Sequence, residues 1–131
     1  MPVERVTSPK IMEPAGKYSH AMRAGNLLFI SGQTGRDPDG TITIKGDVKA
    51  QARMALSRIR ELCRAAGAGM SDILRLGVFV VNIADGDKVY EVYDEFFEGP
   101  PYPADTLIGN VRLAHPDFLV EIEAVVALPG R

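Results

Sequence analysis

The stretch Phe118-Leu119-Val120-Glu121-Ile122-Glu123-Ala124-Val125-Val126-Ala127-Leu128 decides how this chain folds. Every even position in it is apolar, so a strand over this stretch has one unbroken apolar face, and that face must pack against helices. The odd positions place two carboxylates, Glu121 and Glu123, among apolar neighbours on the other face. Because burying an unpaired charge is costly, the second face fits a solvent-filled cleft or a seam between subunits.

The composition is that of an ordinary globular protein. The chain has 131 residues, which predicts a single domain over residues 1–131. Its net charge of −2 and its 46% of hydrophobic residues exclude a disordered class and do not favour nucleic acid as a partner. No apolar run approaches the roughly 20 residues that span a membrane, and the first residues lack the apolar core of a signal peptide. We therefore expect a cytoplasmic protein with no membrane partner.

Cysteine and histidine are too few for a disulfide framework or a metal centre. Cys63 is the single cysteine, which excludes an intrachain disulfide, and it lies on the apolar stripe of a predicted helix. The two histidines, His20 and His115, give no metal-ligand spacing. No metal and no cofactor are expected.

The chain reads as strands, helix, strand, helix, strands. Val3 to Val6 fits an edge strand, and Gly25-Asn26 predicts a hairpin that would place Tyr18 and Ser31 on paired strands. A strong turn at residues 37–40 precedes the short β-branched run Thr41 to Ile44.

Both helices are predicted from periodicity. Asp47 is placed to cap the first, whose apolar stripe runs from Val48 to Ala66 before Gly67 ends it. The second is capped by Asp85 or Asp87, and its stripe extends to Phe97 before Gly99 and two prolines.

Two helices cover only one face of a sheet. The other face would carry Leu119, Val125 and Phe79, so another copy of the chain is the simplest cover for it.

With these residues in view, the chain resembles the RidA/YjgF family, also called the reactive intermediate deaminase or L-PSP family. The resemblance extends over nearly the whole length, and each fragment is weak alone while their order and spacing are specific. The matching pieces are Tyr18-Ser19-His20-Ala21, residues 28–33, Ala65-Ala66-Gly67, Val78-Phe79-Val80, residues 92–97, Pro103-Ala104 and residues 120–124. The resemblance implies a chorismate-mutase-like α+β fold, with two helices on one face of a mixed sheet, and a homotrimer with clefts between its subunits.

The resemblance also implies a reaction. Characterised enzymes of the family hydrolyse reactive enamines and imines to a keto acid and ammonia, which requires a proton donor and acceptor, a positioned water and a group that holds the substrate. Carried over by position, Glu121 is the acid/base or water-orienting group, the backbone near Ser31 and Gly32 supplies hydrogen bonds, and Tyr18 lines the pocket. The alternative for Glu121 is one half of an ion pair with an arginine at a subunit seam, and the alternative for Tyr18 is a tyrosine at the edge of the core.

Position 105 departs from the family pattern. Deaminating members have an arginine after the Pro-Ala pair, whose planar fork grips the substrate carboxylate, whereas this chain has Asp105. Two like charges about 4 Å apart repel by roughly 4 kcal/mol at an effective dielectric of 20, so hydrolysis of 2-aminoacrylate in the usual mode is not expected. If Asp105 faces the same cleft as Glu121, the pair favours a cationic or amine-bearing ligand and raises the pKa of one acid. Otherwise Asp105 accepts backbone N–H bonds at the start of a strand.

Further candidates line the expected pocket. His20 is a candidate base, with a hydrogen-bonded structural histidine as the alternative. Phe79, Tyr90 and Leu107 are candidate substrate contacts. Arg112 would supply the positive charge that position 105 lacks if its strand directs the side chain into the cleft.

Three functions remain open at this point. The first is a hydrolase of the deaminase type acting on an enamine, an imine or a related amine-bearing intermediate. The second is a trimer that binds a small molecule without catalysis. The third, a ribonuclease or translation inhibitor, would use the basic helix face Lys49, Arg53, Arg60 and Arg64, but no aromatic residues alternate with these cations as stacking on single strands requires.

Overall fold

The computed structural model describes residues 2–130 and contains one six-stranded sheet with two helices. The strands are β1 (Val3–Val6), β2 (Ala21–Ala24), β3 (Leu27–Gln33), β4 (Ile73–Val80), β5 (Ala104–Ile108) and β6 (Val120–Ala127), and the helices are α1 (Val48–Ala65) and α2 (Gly86–Tyr93). The strand order across the sheet is β1-β2-β3-β6-β4-β5. All neighbours are antiparallel except β4 and β5, so the sheet is mixed. The predicted α+β fold is confirmed.

Strand β6 lies at the centre of the sheet, between β3 and β4. Its even residues are buried under the helices, and its odd residues are only partly covered, as the alternation predicts. The apolar face packs against α1. The opposite face, which we call the open face, presents the side chain of Phe29 at 47% exposure and is not covered by any helix within residues 2–130.

The first helix forms as predicted. The Asp47 Oδ1 accepts a hydrogen bond from the Ala50 N–H at 3.0 Å, which satisfies one free donor of the first turn. The apolar stripe from Val48 to Ala66 is buried, and Gly67 follows with a φ of +83° that ends the helix.

The second helix is shorter than its apolar stripe predicts. It ends at Tyr93, and the next residues form turns in which the N–H groups of Phe96 and Phe97 both bond to the Tyr93 carbonyl. The Asp85 side chain makes no capping hydrogen bond. The last two residues of the stripe, Phe96 and Phe97, therefore pack against the core from a turn, and the proline pair follows seven residues after Tyr93.

Two local predictions need correction. Thr41 to Ile44 does not form a strand, because the hydroxyls of Thr41 and Thr43 and the Thr43 N–H bond to the carboxylate of Asp37 and hold the segment as a loop. The hairpin turn at Gly25-Asn26 is confirmed, but Tyr18 precedes β2 and does not pair with Ser31.

Among residues 2–130, neither helix is long and apolar enough to cross a membrane.

Candidate functional site

A cavity of about 450 Å³ opens where β3 meets the beginning of β6, and we call it the Glu121 cavity. Four predicted site residues line it together: Tyr18, Ser31, Gly32 and Glu121. The other lining residues are Ala15, Gly16, Thr34, Arg36, Ala114 and Phe118.

Gly32 lets the backbone of β3 pass directly against the Glu121 side chain. A Cβ atom at position 32 would lie 2.1 Å from the Glu121 Oε2 and 2.7 Å from its Cγ, which no side chain allows. The pairing of β3 with β6 shifts register between Ile30 and Gln33, so the irregularity brings this glycine onto the carboxylate. The carboxylate is thus held between a bare backbone and the cavity.

Burial changes the acidity of Glu121. Partial removal from water raises the pKa of its carboxyl group, and the negative charge of Glu123 on the same face raises that pKa further. A carboxyl group with a raised pKa keeps a protonated population closer to neutral pH, where it can both donate and accept a proton.

Ser31 contributes an oriented hydroxyl. Its Oγ donates to the Ser19 carbonyl at 2.6 Å, and its backbone N–H donates to the His20 carbonyl at 2.8 Å. Since both protons are committed to the protein, the hydroxyl offers the cavity its oxygen lone pairs rather than a donor.

His20, the candidate base, is not among the residues that line this cavity. It is buried, its Nε2 lies 2.9 Å from the Met12 carbonyl and its Nδ1 lies 3.2 Å from the Gln33 Nε2. The carbonyl can only accept, so Nε2 carries the proton and Nδ1 accepts from the amide of Gln33. With both ring nitrogens occupied, His20 is a structural histidine whose ring packs edge-on against Tyr18, with the centroids 6.0 Å apart.

Asp105 lies on the other side of the sheet. It pairs with Leu76, whose side chain points to the helices, whereas Glu121 pairs with Phe79 on the open face. Within one chain the carboxylates of Asp105 and Glu121 therefore lie on opposite faces of the sheet. A single chain does not bring them into one cleft, contrary to the prediction. They could approach each other only between two copies of the chain.

Asp105 instead accepts hydrogen bonds from two tyrosines of α2. Its Oδ1 accepts from the Tyr90 hydroxyl at 3.0 Å and its Oδ2 from the Tyr93 hydroxyl at 2.6 Å. These groups line a second cavity of about 350 Å³, which we call the tyrosine cavity. Its lining consists of Tyr90, Tyr93, Asp94, Tyr102, Pro103 and Asp105.

The remaining predicted contacts divide between the two faces. Phe79 lies beside Glu121 on the open face. Leu107 faces the helices, where its Cδ2 would be 2.7 Å from a Cβ at Gly86, so it packs under the start of α2 and not in the Glu121 cavity. Arg112 lines a separate cavity with His115 and likewise does not reach Glu121.

Sequence reasoning missed Arg36, Tyr93 and Tyr102. Arg36 lines the Glu121 cavity, bonds to the Gly40 carbonyl at 2.8 Å and stacks over Phe118 at 5.1 Å. It sits in a loop with no periodicity, so no sequence signal placed it. Tyr93 was read as core because it falls on the apolar stripe of α2, which hides the fact that its hydroxyl reaches Asp105.

The structure favours neither Cys63 as a nucleophile nor the basic face of α1 as an RNA-binding surface. Burial raises the pKa of the Cys63 thiol to about 12, so it stays a packing residue. On the basic helix face, Lys49 pairs with Glu91, Arg53 with Glu95 and Arg64 with Glu61, while Arg60 stacks on Phe96. Acidic partners offset most of that face's positive charge, which does not favour RNA phosphates.

The chain is similar to known proteins over nearly all of its length. Residues 8–128 match the sequence family described as Endoribonuclease L-PSP. A RutC family protein of Pyrococcus horikoshii is 41% identical over 86% of this chain and 88% of its own length. A protein of Dermatophagoides farinae named 2-iminobutanoate/2-iminopropanoate deaminase is 31% identical over 97% of this chain and 98% of its own length.

Solved structures agree with these matches. The crystal structure of RidA from an Antarctic Psychrobacter superposes with a TM-score of 0.85 at 30% identity, covering 95% of this chain and 99% of that one. Family, relatives and fold agree with the resemblance carried by the residues of the strands and helices. The chain belongs to the Endoribonuclease L-PSP family, the family of the RidA and RutC proteins.

Proposed function

We propose that the protein is a hydrolase that converts an imine or enamine to a carbonyl compound and ammonia, with the Glu121 carboxyl as its proton-transfer group. The observation that carries this proposal is a half-buried carboxyl with a raised pKa, pressed against the backbone of Gly32 at the wall of a cavity of about 450 Å³. The relative named as an imine deaminase supports the reaction class.

The reaction needs one group that works in both directions. Protonated Glu121 gives its proton to the imine nitrogen, and the resulting carboxylate takes a proton from the water that attacks the carbon of the C=N bond. Glu121 then gives this proton to the nitrogen of the carbinolamine, the C–N bond breaks, and the hydroxyl proton returns to the Glu121 carboxylate as the carbonyl forms, so one water is consumed and one ammonia leaves. An enamine enters the same sequence after protonation at carbon.

The other residues of the cavity would hold the substrate. Arg36 is the cationic residue among those that line the Glu121 cavity. Its guanidinium group can bind a carboxylate or a carbonyl oxygen of the substrate. Ser31 presents hydroxyl lone pairs to an N–H group, and the ring of Tyr18 covers one side. Asp105 stands where deaminating members have their arginine, so 2-aminoacrylate held in their usual way is not the expected substrate. A substrate with a carboxylate would be held by Arg36 instead.

The proposal also includes the association of several copies of the chain. The open face exposes Phe29 and leaves Phe79 and Val125 partly exposed next to the Glu121 cavity. Covering these side chains with further copies of the chain would remove the apolar surface from water and close the cavity into an intersubunit cleft. We expect a homotrimer in the cytoplasm.

The test is ammonia release from a panel of imines generated in place by amino acid oxidases. We expect the wild-type protein to release ammonia from at least one imine faster than buffer does, and Glu121→Gln to lower that rate by about 100-fold or more, the scale of one lost acid/base group. Glu123→Gln is the matched control, because Glu123 lies two residues further along the same face but is directed to Arg75, at 3.6 Å. At its own pH optimum this variant should keep a rate within about threefold of wild type, and its pH profile should move to lower pH because the pKa of Glu121 loses the contribution of the Glu123 charge.

Two results would count against the proposal. Equal losses in the two variants would remove the special role of Glu121. No turnover of any imine, together with a rise of the melting temperature on adding the same compounds, would make the protein a non-catalytic binder of small molecules.

A further inference from the structure

The tyrosine cavity combines three aromatic rings with a carboxylate and contains no basic residue. Three of the chain's four tyrosines line it, and its two charged lining residues, Asp94 and Asp105, are both acidic. The rings of Tyr90 and Tyr93 meet edge to face with centroids 5.2 Å apart, so their faces point in different directions around the cavity.

The hydrogen bonds from the two tyrosines leave the negative charge on Asp105. Both Tyr90 and Tyr93 point their O–H groups at Asp105, which orients their oxygen lone pairs away from it. The pKa of Tyr90 is raised to about 12, by burial first and by Asp105 next, and that of Tyr93 is raised for the same reasons. Both phenols therefore remain neutral donors near pH 7, and the carboxylate charge is not neutralised by a proton from them.

The protein offers this charge no cation of its own among the salt bridges of the described residues. Lys49 pairs with Glu91, Arg53 with Glu95 and Lys88 with Asp85, so the cations near α2 are bonded to other acids. Two of the three aromatic side chains are also accessible, Tyr90 at 38% and Tyr102 at 50% exposure, whereas Tyr93 is buried. An accessible negative site lined by aromatic residues is the arrangement that binds ammonium groups, through cation–π attraction and charge together.

We propose that the tyrosine cavity binds an organic cation of the ammonium class, with Asp105 as its counter-ion and Tyr90, Tyr93 and Tyr102 as its aromatic walls. A volume of about 350 Å³ accommodates an alkylammonium group of several carbon atoms, at the small end of the range of ligand pockets. The binding itself does not depend on imine hydrolysis. Only the identification of the bound cation as part of the substrate rests on the function proposed above.

The experiment compares choline with 3,3-dimethyl-1-butanol, which has the same shape but carbon in place of the charged nitrogen. The chain has no tryptophan, so its intrinsic fluorescence comes from four tyrosines, three of them in this cavity, and a titration reads the site directly. We expect choline to bind at least about tenfold more tightly than the neutral compound, because only the cation gains the attraction of the rings and of Asp105.

Variants separate charge from aromatic surface. Asp105→Asn should weaken choline binding by about tenfold or more while leaving the neutral compound unchanged, and Tyr102→Leu should weaken choline more than the neutral compound. Glu13→Gln removes the same charge from an exposed position outside the cavity and should bind choline as wild type does. Melting curves confirm that each variant is folded.

The outcomes are distinguishable from those of the hydrolysis test. Glu121→Gln should bind choline normally while losing ammonia release, so each proposal can fail alone. Equal affinity for the two compounds, or choline binding unaffected by Asp105→Asn in a folded protein, would overturn the cation site.

Discussion

At the scale of single residues, the contact between Gly32 and Glu121 leaves no room for a side chain at position 32. A methyl group at position 32 would overlap the Cγ, Cδ and Oε2 atoms of Glu121, all within 2.7 Å. We expect Gly32→Ala to displace the carboxyl group and lower ammonia release by about tenfold or more, since small misplacements of a reacting group are costly. The fold should remain, because the Glu121 side chain can swing into the cavity.

Gly69→Ala is the control for this substitution. A Cβ at position 69 meets no atom within 4 Å, and the backbone there is extended. Rates and melting temperatures of the two variants are compared with wild type. A Gly32→Ala protein with the wild-type rate would show that the position of the Glu121 carboxyl does not limit the reaction.

The face on which a side chain lies could be predicted where apolar and polar residues alternate strictly along a strand. The strict pattern of β6 put Glu121 on the face away from the helices, and the structure brings Tyr18, Ser31 and Gly32 to the same cavity. Asp105 was not predictable in this way. Strand β5 carries apolar residues on both faces, at Leu107 and Ile108, so only its register with β4 determines that Asp105 faces α2.

At the scale of elements, Gln51 links α1 to two loops. It is fully buried, its Nε2 donates to the Ile44 carbonyl at 2.7 Å and the Asp117 carbonyl at 2.9 Å, and its Oε1 accepts from the Leu119 N–H at 2.8 Å. The side chain thereby positions the loop before α1 and the segment that leads into β6.

We expect Gln51→Leu to lower the free energy of unfolding by about 3 kcal/mol, because three backbone groups lose their partner in a buried place. Urea denaturation measures this. The control Lys49→Met, on the same helix, removes an exposed ion pair with Glu91 and should change the stability by less than about 1 kcal/mol. A Gln51→Leu protein as stable as that control would show that water replaces the lost hydrogen bonds.

The two helices differ in how well apolar periodicity predicts where they begin and end. The 18 residues of α1 repeat a clear apolar stripe with a cap and a stop, and its bounds follow from the sequence. The end of α2 does not, because Phe96 and Phe97 continue the stripe after the backbone has left the helix. The role of Gln51 was also hidden, since a polar residue in a helix is ordinarily a solvated one.

At the scale of the whole molecule, the open face determines whether the Glu121 cavity is a shallow groove or a closed cleft. Phe29 lies on this face between Met22 and Val125 on the neighbouring strands. An arginine in its place would put a charge into any interface formed there. Ala65 is exposed near the end of α1, on the helical side, so Ala65→Arg adds the same charge away from the open face.

The expectation that another copy covers this face could be argued from the sequence, since two helices leave one side of a six-stranded sheet bare. The number of copies could not, because shape complementarity between two faces depends on the twist of the sheet and on side-chain positions that no linear pattern encodes.

The most direct measurement combines the mass in solution with ammonia release for the wild type, Phe29→Arg and Ala65→Arg. We predict a wild-type mass about three times that of the 14.2 kDa chain, and the same mass and rate for Ala65→Arg. We predict that Phe29→Arg is folded but monomeric and loses most of its ammonia release, although Glu121 is intact. A wild-type monomer, or a monomeric Phe29→Arg protein with the full rate, would contradict a cleft built between copies around Glu121.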